Sequence, residues 1–482
     1  MSLPTDHFIW PSKRTAVALS LLLAVVLTYS STLIGPGVMN FVPHDPAEAW
    51  RMLLELRFRH NGSDQRADWM GNLIVLVPYG FCVTASLWPR RNGWLKLPAL
   101  LVALAICFVT IVAIKYLQIF FPPRTVSLNY IAAQSLGSLI GSLGCILWFG
   151  QTAPVLRQGD AVAGLVAALR LYLVALLVFV LMPLDFALNA TDLAHQFERL
   201  PATLLAIPGE GLPLFVRLAL QLAAVAAFIP VGMLLALGGS RRHGAMRGLW
   251  SVTVLGLLLT TAIYALSTLV MGAGPAVVVI FYRTAGIVAG AAALRWLVRQ
   301  EPRRLRARAA AAVPYLAIVY LLTLAAVNRV ISTEWRSWPQ AMAETNPLGW
   351  LPLYDYYIVT KADAAKNMVA HAVMYVPVGV AVWLRVPRRS AMGVAFILGA
   401  LLSAAIEVAR YLRPGLEGDI NAVAVGGVAA MLTVPAMDLV WSLLVELVRR
   451  SGVARQHDLE RRPAARAEPS QAINPVGEVE QY

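Results

Sequence analysis

The stretch that decides the fold runs from Ala113 to Gly141 and reads AIKYLQIFFPPRTVSLNYIAAQSLGSLIG. It contains the end of one apolar helix, a Pro-Pro-Arg turn and the start of a second apolar helix. Polar side chains gather around the turn, although charges near hydrocarbon are costly and usually face a bundle interior or an interface. A degraded copy, AIEVARYLRPGLEGDINAVAVGG, recurs from Ala405 to Gly427. This approximate repeat indicates a membrane protein with internal repetition.

The composition is that of a membrane protein. Of the 482 residues, 59% are hydrophobic and only 14% are charged, whereas soluble domains average about 25% charged residues. Several apolar stretches reach the roughly 18 residues that a helix needs to cross a hydrocarbon core of about 30 Å. We therefore predict an all-α fold, a polytopic helical membrane protein.

The basic balance does not indicate a nucleic-acid partner. The formal net charge is +14, but the arginines stand between apolar segments, where the positive-inside rule places them. The three cysteines lie in apolar runs without the spacing of metal ligands. The sequence also has no P-loop, Gly-x-Ser-x-Gly or His-Glu-x-x-His motif. These patterns predict no metal, no cofactor and no catalytic residue of a soluble-enzyme type.

The apolar runs and the glycines and prolines between them predict twelve membrane-spanning helices. These lie at 15–37, 68–88, 97–120, 127–149, 161–185, 213–237, 248–270, 275–297, 312–331, 367–386, 391–412 and 420–447. The first run follows Lys13 and Arg14, as in a signal peptide, but it ends at Gly35-Pro36-Gly37 without an Ala-x-Ala cleavage site. An uncleaved first span is therefore expected.

Basic residues occupy every second connection between the predicted spans and flank both termini. The long connections at 38–66 and 186–212 are nearly balanced or acidic. By the positive-inside rule, both termini are cytoplasmic and the turns that hold Arg124 and Arg413 face the periplasm. The polar tail after Arg450 is expected to be disordered in the cytoplasm.

A third long connection, 332–365, is rich in aromatic residues, and two interpretations are open. The residues can form an interfacial belt at the lipid head groups, or they can form a platform on which glycans stack. The residues are Trp335, Trp338, Trp350, Tyr354, Tyr356 and Tyr357.

A Pro-x-Gly marker recurs three times, each time in the second span of a group of four. The markers are Pro78 with Gly80, Pro230 with Gly232, and Pro377 with Gly379. Closely spaced glycines, which let another backbone approach, then open each fourth span. They are Gly137 and Gly141, Gly286 and Gly290, and Gly426 and Gly427. The pattern predicts three parallel four-helix units at 1–150, 151–305 and 306–448, followed by a disordered tail at 449–482.

The predicted units differ in their polar residues. Six residues before the marker proline stand Asn72 in the first unit and His371 in the third, but Ala224 in the second. The third span of the second unit also lacks an acid, a Gln or an Arg near its outer end. The middle unit is therefore predicted to be structural, and any chemistry is expected in the first and third units.

These features resemble the VanZ-like family of small bacterial membrane proteins, named for an accessory protein of glycopeptide resistance. The family signature places a Pro-x-Gly in the second helix, an acid followed by Gln ending the third, an Arg in the turn, and Asp, Asn and Gly opening the fourth. The first unit matches with Asn72, Pro78, Gly80, Gln118, Pro123, Arg124, Gln134 and Gly137. The third unit matches with His371, Pro377, Gly379, Glu407, Arg413, Asp419 and Gly426.

The match is incomplete in both units. Lys115 stands where the family has its acid, and Arg410 where it has Gln. Tyr130 and Val423 occupy the expected Asp and Asn positions of the first and third units. Because of these departures, no single unit carries the full polar set. The resemblance covers 15–150 and 312–445, and 161–300 by pattern only.

The resemblance implies a cell-envelope role in the bacterial inner membrane. Its expected partners are membrane lipids and lipid-linked cell-wall or polysaccharide precursors. The protein would alter how glycopeptides reach these precursors. The candidate binding residues are Asn72, Gln118, Arg124, Gln134, His371, Glu407, Arg410, Arg413 and Asp419.

Other functions stay open from the sequence. Twelve helices in repeated units also fit a transporter of an envelope lipid or glycan. Glu407 and His371 could form an acid–base pair of a membrane-embedded enzyme, or they could fix helix register alone. Arg124, Arg410 and Arg413 could hold an anionic phosphate or carboxylate, or they could snorkel to lipid head groups.

One packing hypothesis concerns Lys115 and Glu407, which occupy equivalent positions in the first and third units, each about five residues before the outer end of its unit's third span. Parallel units place both side chains at the same depth, so they could face each other and pair across the interface of the first and third units. The competing account is a local pair, because Arg410 lies one turn from Glu407 on the same helix.

Overall fold

The computed structural model describes residues 12–32, 41–58, 63–89, 93–122, 126–152, 161–182, 184–187, 189–206, 208, 210–211, 214–238, 246–271, 276–331, 334–344, 351–352, 354, 361–416 and 418–461. Across these ranges the chain is helical, and the only strand-like pairing is an isolated bridge between Phe186 and Val270. Twelve of the helices in this part are long and apolar enough to cross a membrane. The predicted all-α, multi-span fold is confirmed.

Fifteen helices in the described residues fall into three consecutive groups. The first helix group contains α1 (Lys13–Thr32), α2 (Pro46–Leu54), α3 (Ser63–Leu87), α4 (Lys96–Ile119) and α5 (Leu128–Leu147). The middle helix group contains α6 (Ala161–Val180), α7 (Ala190–Leu204), α8 (Leu214–Leu237), α9 (Leu249–Thr268) and α10 (Val278–Leu297). The third helix group contains α11 (Pro302–Val327), α12 (Trp338–Glu344), α13 (Lys361–Arg385), α14 (Arg388–Tyr411) and α15 (Ile420–Arg461).

Two helices extend beyond their predicted bounds. Helix α11 begins at Pro302 rather than at 312, because proline suits the first helical position and the following arginines are good helix formers. The predicted boundary between 305 and 306 therefore falls inside a helix. Helix α15 continues to Arg461, so the start of the tail predicted to be disordered is helical. Residues 462–482 lie outside the described part of the chain.

The sequence patterns missed the short helices α2, α7 and α12, which lie in the three long connections. Helix α2 begins with an N-cap, in which Asp45 Oδ1 accepts a hydrogen bond from the Ala47 amide at 2.9 Å. Its Trp50 ring packs on Tyr116 of α4 with 6.0 Å between centroids. Each group therefore has one long helix, one short helix and three further long helices.

In each group the second long helix crosses the last one at backbone contact. A Cβ atom added at the glycine of the Pro-x-Gly marker would overlap a carbonyl oxygen of the last helix. The pairs are Gly80 with Ser138, Gly232 with Ile287, and Gly379 with Ala430. Such crossings maximise van der Waals contact between helices that have no hydrophobic driving force in lipid. The three-unit organisation stays a prediction, and this shared crossing supports it.

The crossing also fixes which residues correspond between groups. Gly137 meets the Leu73 carbonyl and Gly286 meets the Val225 carbonyl, so these two glycines correspond. In the third group Ala430 takes the place of Ser138, which puts Gly426 at the place of Gln134. The predicted equivalence of Gly426 with Gly137 is thus shifted by about one helical turn.

Three pairs of helices form the larger contacts between the groups. Helix α3 packs on α13, α6 packs on α15, and α8 packs on α11. The first and middle groups are further joined by Arg66, whose Nε lies 2.9 Å from Asp185 Oδ1 and whose Nη1 lies 2.9 Å from Asp192 Oδ2. These side chains are largely buried, so the ion pairs are less screened than pairs on an open surface.

Candidate binding site at the ends of the membrane helices

The predicted polar residues of the first group form a buried network at the end of α4. Lys115 Nζ donates to Gln118 Oε1 at 2.9 Å, and Gln118 Nε2 donates to the Ser31 carbonyl of α1 at 3.0 Å. The Lys115 ammonium also lies 5.6 Å from the ring centroid of Tyr130, a cation–π distance. The spacing of three residues puts Lys115 and Gln118 on one helix face, which explains their contact.

A second pair joins α3 to α5. Gln134 Nε2 donates to Asn72 Oδ1 at 2.9 Å, and Asn72 Nδ2 donates to the Asp68 carbonyl at 2.9 Å. Both amides are buried, and buried amides are stable only when they are hydrogen-bonded. The first-group residues therefore satisfy one another. Arg124 and Pro123 lie outside the described residues.

In the third group, the buried carboxylate of Glu407 is held from two sides. Arg410 Nη1 lies 3.3 Å from Glu407 Oε2, and the Asp419 amide donates to the same oxygen at 2.9 Å. Glu407 is only 6% exposed. A carboxylate in this position ties the end of α14 to the start of α15.

Asp419 is the capping residue of α15. Its Oδ1 accepts hydrogen bonds from the Asn421 amide at 2.7 Å and from Asn421 Nδ2 at 2.8 Å, which satisfies a donor at the helix start. One turn along, Ser403 Oγ donates to the Ala422 carbonyl at 2.9 Å. The turn between α14 and α15 is therefore fixed by side chains that the sequence had marked as binding candidates.

Arg336 is a member of this site that the sequence analysis missed. Its Nη2 donates to the carbonyls of Tyr411 at 2.8 Å and Leu416 at 3.0 Å, and its Nη1 lies 2.6 Å from Glu344 Oε2. The carbonyls at a helix end lack intrahelical partners, and a cation there is favourable. In the sequence, Arg336 is simply an arginine within an aromatic-rich connection. That pattern does not predict which helix end the side chain contacts.

Among the residues that the structure describes, Glu407 Oε2 and Asp419 Oδ1 accept hydrogen bonds from the protein, whereas some nitrogen atoms of the site have no partner. Within the described residues, His371 Nδ1, Arg336 Nε and Arg413 Nε are buried nitrogen atoms without a hydrogen-bond partner. Arg413 uses Nη1 to bond the Arg329 carbonyl. Arg410 keeps 24% of its side chain exposed beside Glu407. We call His371, Arg336, Glu407, Arg410, Arg413 and Asp419 the third-group cluster.

The register of the helix crossing explains why His371 Nδ1 lacks a hydrogen-bond partner among the described residues. His371 stands where Asn72 stands in the first group, and Gly426 stands where Gln134 does. Because glycine has no side chain, the amide that would bond the imidazole is missing. Instead the Tyr375 ring and the Ser403 side chain fill part of the space, since a Cβ at Gly426 would meet each of them at 2.9 Å.

The hypothesis that Lys115 pairs with Glu407 is wrong. Helix α4 packs on α1, α2, α3 and α5, whereas α14 packs on α13 and α15. Glu407 instead contacts Arg410, as the local alternative proposed. In each of the two groups, a cation contacts an acceptor three residues away on the same helix. The cation precedes the acceptor in Lys115–Gln118 and follows it in Glu407–Arg410.

The aromatic residues of the third connection do not act as one set. Trp335 and Trp338 are about half exposed, and Trp338 packs on Tyr411 with 5.3 Å between ring centroids. Tyr354 is buried and cannot serve an interfacial belt. Trp350, Tyr356 and Tyr357 lie outside the described residues. In the part of the chain that is described, no group of three or more His, Cys, Asp or Glu residues could hold a metal ion.

Comparison with known proteins adds one match. Residues 15–149 match the family model described as VanZ/LLP1. No curated protein and no solved structure matches the chain. The matched range contains α1 to α5, with the Pro-x-Gly crossing and the network around Lys115 and Gln134. The N-terminal part of this multi-span helical membrane protein is therefore similar to the VanZ/LLP1 family.

Proposed function

We propose that the protein acts in the cell envelope by binding the anionic head group of a membrane lipid or lipid-linked precursor at the third-group cluster. The observation that carries the proposal is the balance of donors and acceptors there. Glu407 and Asp419 are already engaged by protein donors, whereas His371 Nδ1, Arg336 Nε and Arg413 Nε have no partner among the described residues. Because these three atoms are buried, a ligand that supplies acceptors would first meet Arg410, which keeps 24% of its side chain exposed.

Guanidinium groups suit such a ligand because they bind phosphate and carboxylate through paired hydrogen bonds. The surroundings suit a lipid. Val408 and Ile420, which flank the cluster on α14 and α15, are 47% and 43% exposed, so they can contact an acyl or polyprenyl chain while the head group meets Arg410. Apolar surface beside a few polar groups is the usual composition of a ligand site.

The envelope role also draws on the VanZ-like domain, whose family is named for glycopeptide resistance. On this proposal the protein lies in the bacterial inner membrane, and the third-group cluster opens toward the periplasm. Its occupancy would then change how glycopeptides reach lipid-linked precursors. The distribution of basic residues supports this orientation.

The orientation can be tested with reporter fusions. Fusions at residues 45, 200 and 345 should report the periplasm, and a fusion at 475 should report the cytoplasm, because basic connections stay inside. The activity of paired periplasmic and cytoplasmic reporters is the measurement. A cytoplasmic signal at any of the first three sites, or a periplasmic signal at 475, would overturn the orientation.

The function can be tested by lipid and glycan profiling of a deletion strain, followed by complementation. Arg413→Ala and Arg124→Ala should alter the envelope profile or glycopeptide sensitivity without lowering the protein level. Arg449→Ala is the matched control, because Arg449 is exposed and pairs only with Glu446 on its own helix in the described structure.

Two further variants separate binding from catalysis. If Glu407→Gln and His371→Gln alone abolish function while a product accumulates in the wild type, the protein is an enzyme and the binding proposal fails. If all four variants complement like the wild type, the polar cluster is structural only. Binding predicts graded loss in the arginine variants with no accumulated product.

A further inference from the structure

The middle helix group contains a cation, Arg283, with which no described residue forms an ion pair. Arg283 lies in α10, five residues after the helix start, inside a span long and apolar enough to cross the membrane. Among the described residues it makes no ion pair or hydrogen bond, and its guanidinium carbon lies 5.5 Å from the centre of the Phe228 ring. A charge at that depth is costly and usually marks a functional site.

The helix crossing shows what Arg283 replaces. Because Gly286 meets Val225 as Gly137 meets Leu73, Arg283 occupies the place of Gln134, and Ala224 occupies the place of Asn72. In the first group those two positions form a closed amide pair at 2.9 Å. In the middle group, Ala224 offers only a methyl group and Arg283 is a cation, so no hydrogen bond joins these two side chains.

A second unsatisfied polar group lies on α9, the helix that packs on α10. Thr260 Oγ1 and Thr284 Oγ1 lie 2.9 Å apart, which fixes α9 to α10 at the residue next to Arg283. One turn along α9, Tyr264 has a buried hydroxyl without a hydrogen-bond partner in the described part of the chain. Its position, four residues before the end of the helix, is the position of Lys115 in α4 and Glu407 in α14.

We propose that Arg283 and Tyr264 form a phosphate-binding site in the middle helix group, separate from the third-group cluster. The guanidinium supplies paired donors and the charge that a phosphate needs, and the phenol supplies a further donor. Five residues into a helix is a depth of about 8 Å, which a lipid phosphate can reach from the head-group layer. The middle group, predicted from sequence to be structural, is thus assigned a ligand of its own.

The test uses the purified full-length protein in nanodiscs of phosphatidylcholine with added phosphatidylglycerol, and native mass spectrometry counts the lipids that each protein retains. Wild type should retain one more phosphatidylglycerol than Arg283→Gln, with binding about tenfold or more weaker in the variant because a charged hydrogen bond is lost. Tyr264→Phe should weaken binding several-fold. Arg199→Gln, on exposed α7 of the same group, removes the same charge and should retain wild-type binding.

A double variant keeps the result interpretable if Arg283→Gln folds poorly. Ala224→Asn with Arg283→Gln rebuilds the amide pair of the first group, so it should be as thermally stable as wild type and still not bind. In discs of phosphatidylcholine alone, inorganic phosphate at constant ionic strength tests the other source. Stabilisation of wild type but not of the double variant assigns the site to free phosphate as well, whereas no stabilisation assigns it to the lipid.

The proposal is overturned if Arg283→Gln retains as many anionic lipids as wild type, or if the double variant binds phosphatidylglycerol as wild type does. Equal retention would mean that Arg283 only snorkels toward water. The site is also excluded if wild type responds to neither phosphatidylglycerol nor inorganic phosphate.

Discussion

Replacing Gly141 with alanine is expected to separate α3 from α5 and to remove most of the folded protein from the membrane. A Cβ at this position would overlap the Val77 carbonyl oxygen and would lie 2.8 Å from the Phe81 amide nitrogen. Both are backbone atoms of α3, so no side chain can rotate away. Overpacking of a core costs about 1–3 kcal/mol and more where nothing yields. Protein abundance and thermal unfolding in detergent measure the effect.

The matched control is Gly144→Ala, one turn along the same helix. The nearest atom that its Cβ would meet is Phe81 Cδ2 at 4.0 Å, an ordinary contact. Because alanine is a better helix former than glycine by about 1 kcal/mol, this variant should equal or exceed the wild type in stability. If Gly141→Ala were as abundant as Gly144→Ala, the close crossing of α3 and α5 would be incorrect.

The second large effect is expected for Glu407→Lys. The change removes the acceptor of the Asp419 amide and places a second cation beside Arg410. Losing one partner of a buried ion pair typically costs about 3–5 kcal/mol, which is enough to deplete the folded protein. Abundance in the membrane and the unfolding temperature of the purified variant measure the loss.

A compensating change distinguishes this account from a general intolerance of the site. Adding Arg410→Gln to Glu407→Lys reproduces the Lys115–Gln118 pair, whose atoms lie 2.9 Å apart in the first group. The double variant should therefore recover part of the lost stability. A double variant no better than Glu407→Lys alone would show that the two groups do not use equivalent pairs.

Hydropathy was sufficient to predict the spans, because the thickness of the hydrocarbon dictates helix length. It gave no information about where charged residues extend a helix beyond the membrane, as at Pro302 and Arg461. Hydropathy also did not predict short helices such as α2, because one or two amphipathic turns give too weak a periodic pattern.

The candidate residues were found by their type, but their partners were not. Sequence spacing places Lys115 and Glu407 at one depth, yet it does not say which way each helix face turns. Arg336 reaches the Tyr411 carbonyl from a connection without periodicity, so no pattern could assign it. Arg283 was overlooked because the comparison of units considered the third span, and this residue lies on the fourth.

The central claim, that the third-group cluster binds an anionic head group, is tested most directly by lipid competition in nanodiscs. The protein should carry Arg283→Gln so that the middle group does not contribute, and the discs should contain phosphatidylcholine with a polyprenyl phosphate or phosphatidylglycerol. This background protein is predicted to retain an anionic lipid in preference to phosphatidylcholine, and Arg410→Gln with Arg413→Gln should weaken that retention about tenfold or more without loss of helical content. Retention without preference for anionic lipid, or a preference unchanged in the arginine variants, would contradict the claim.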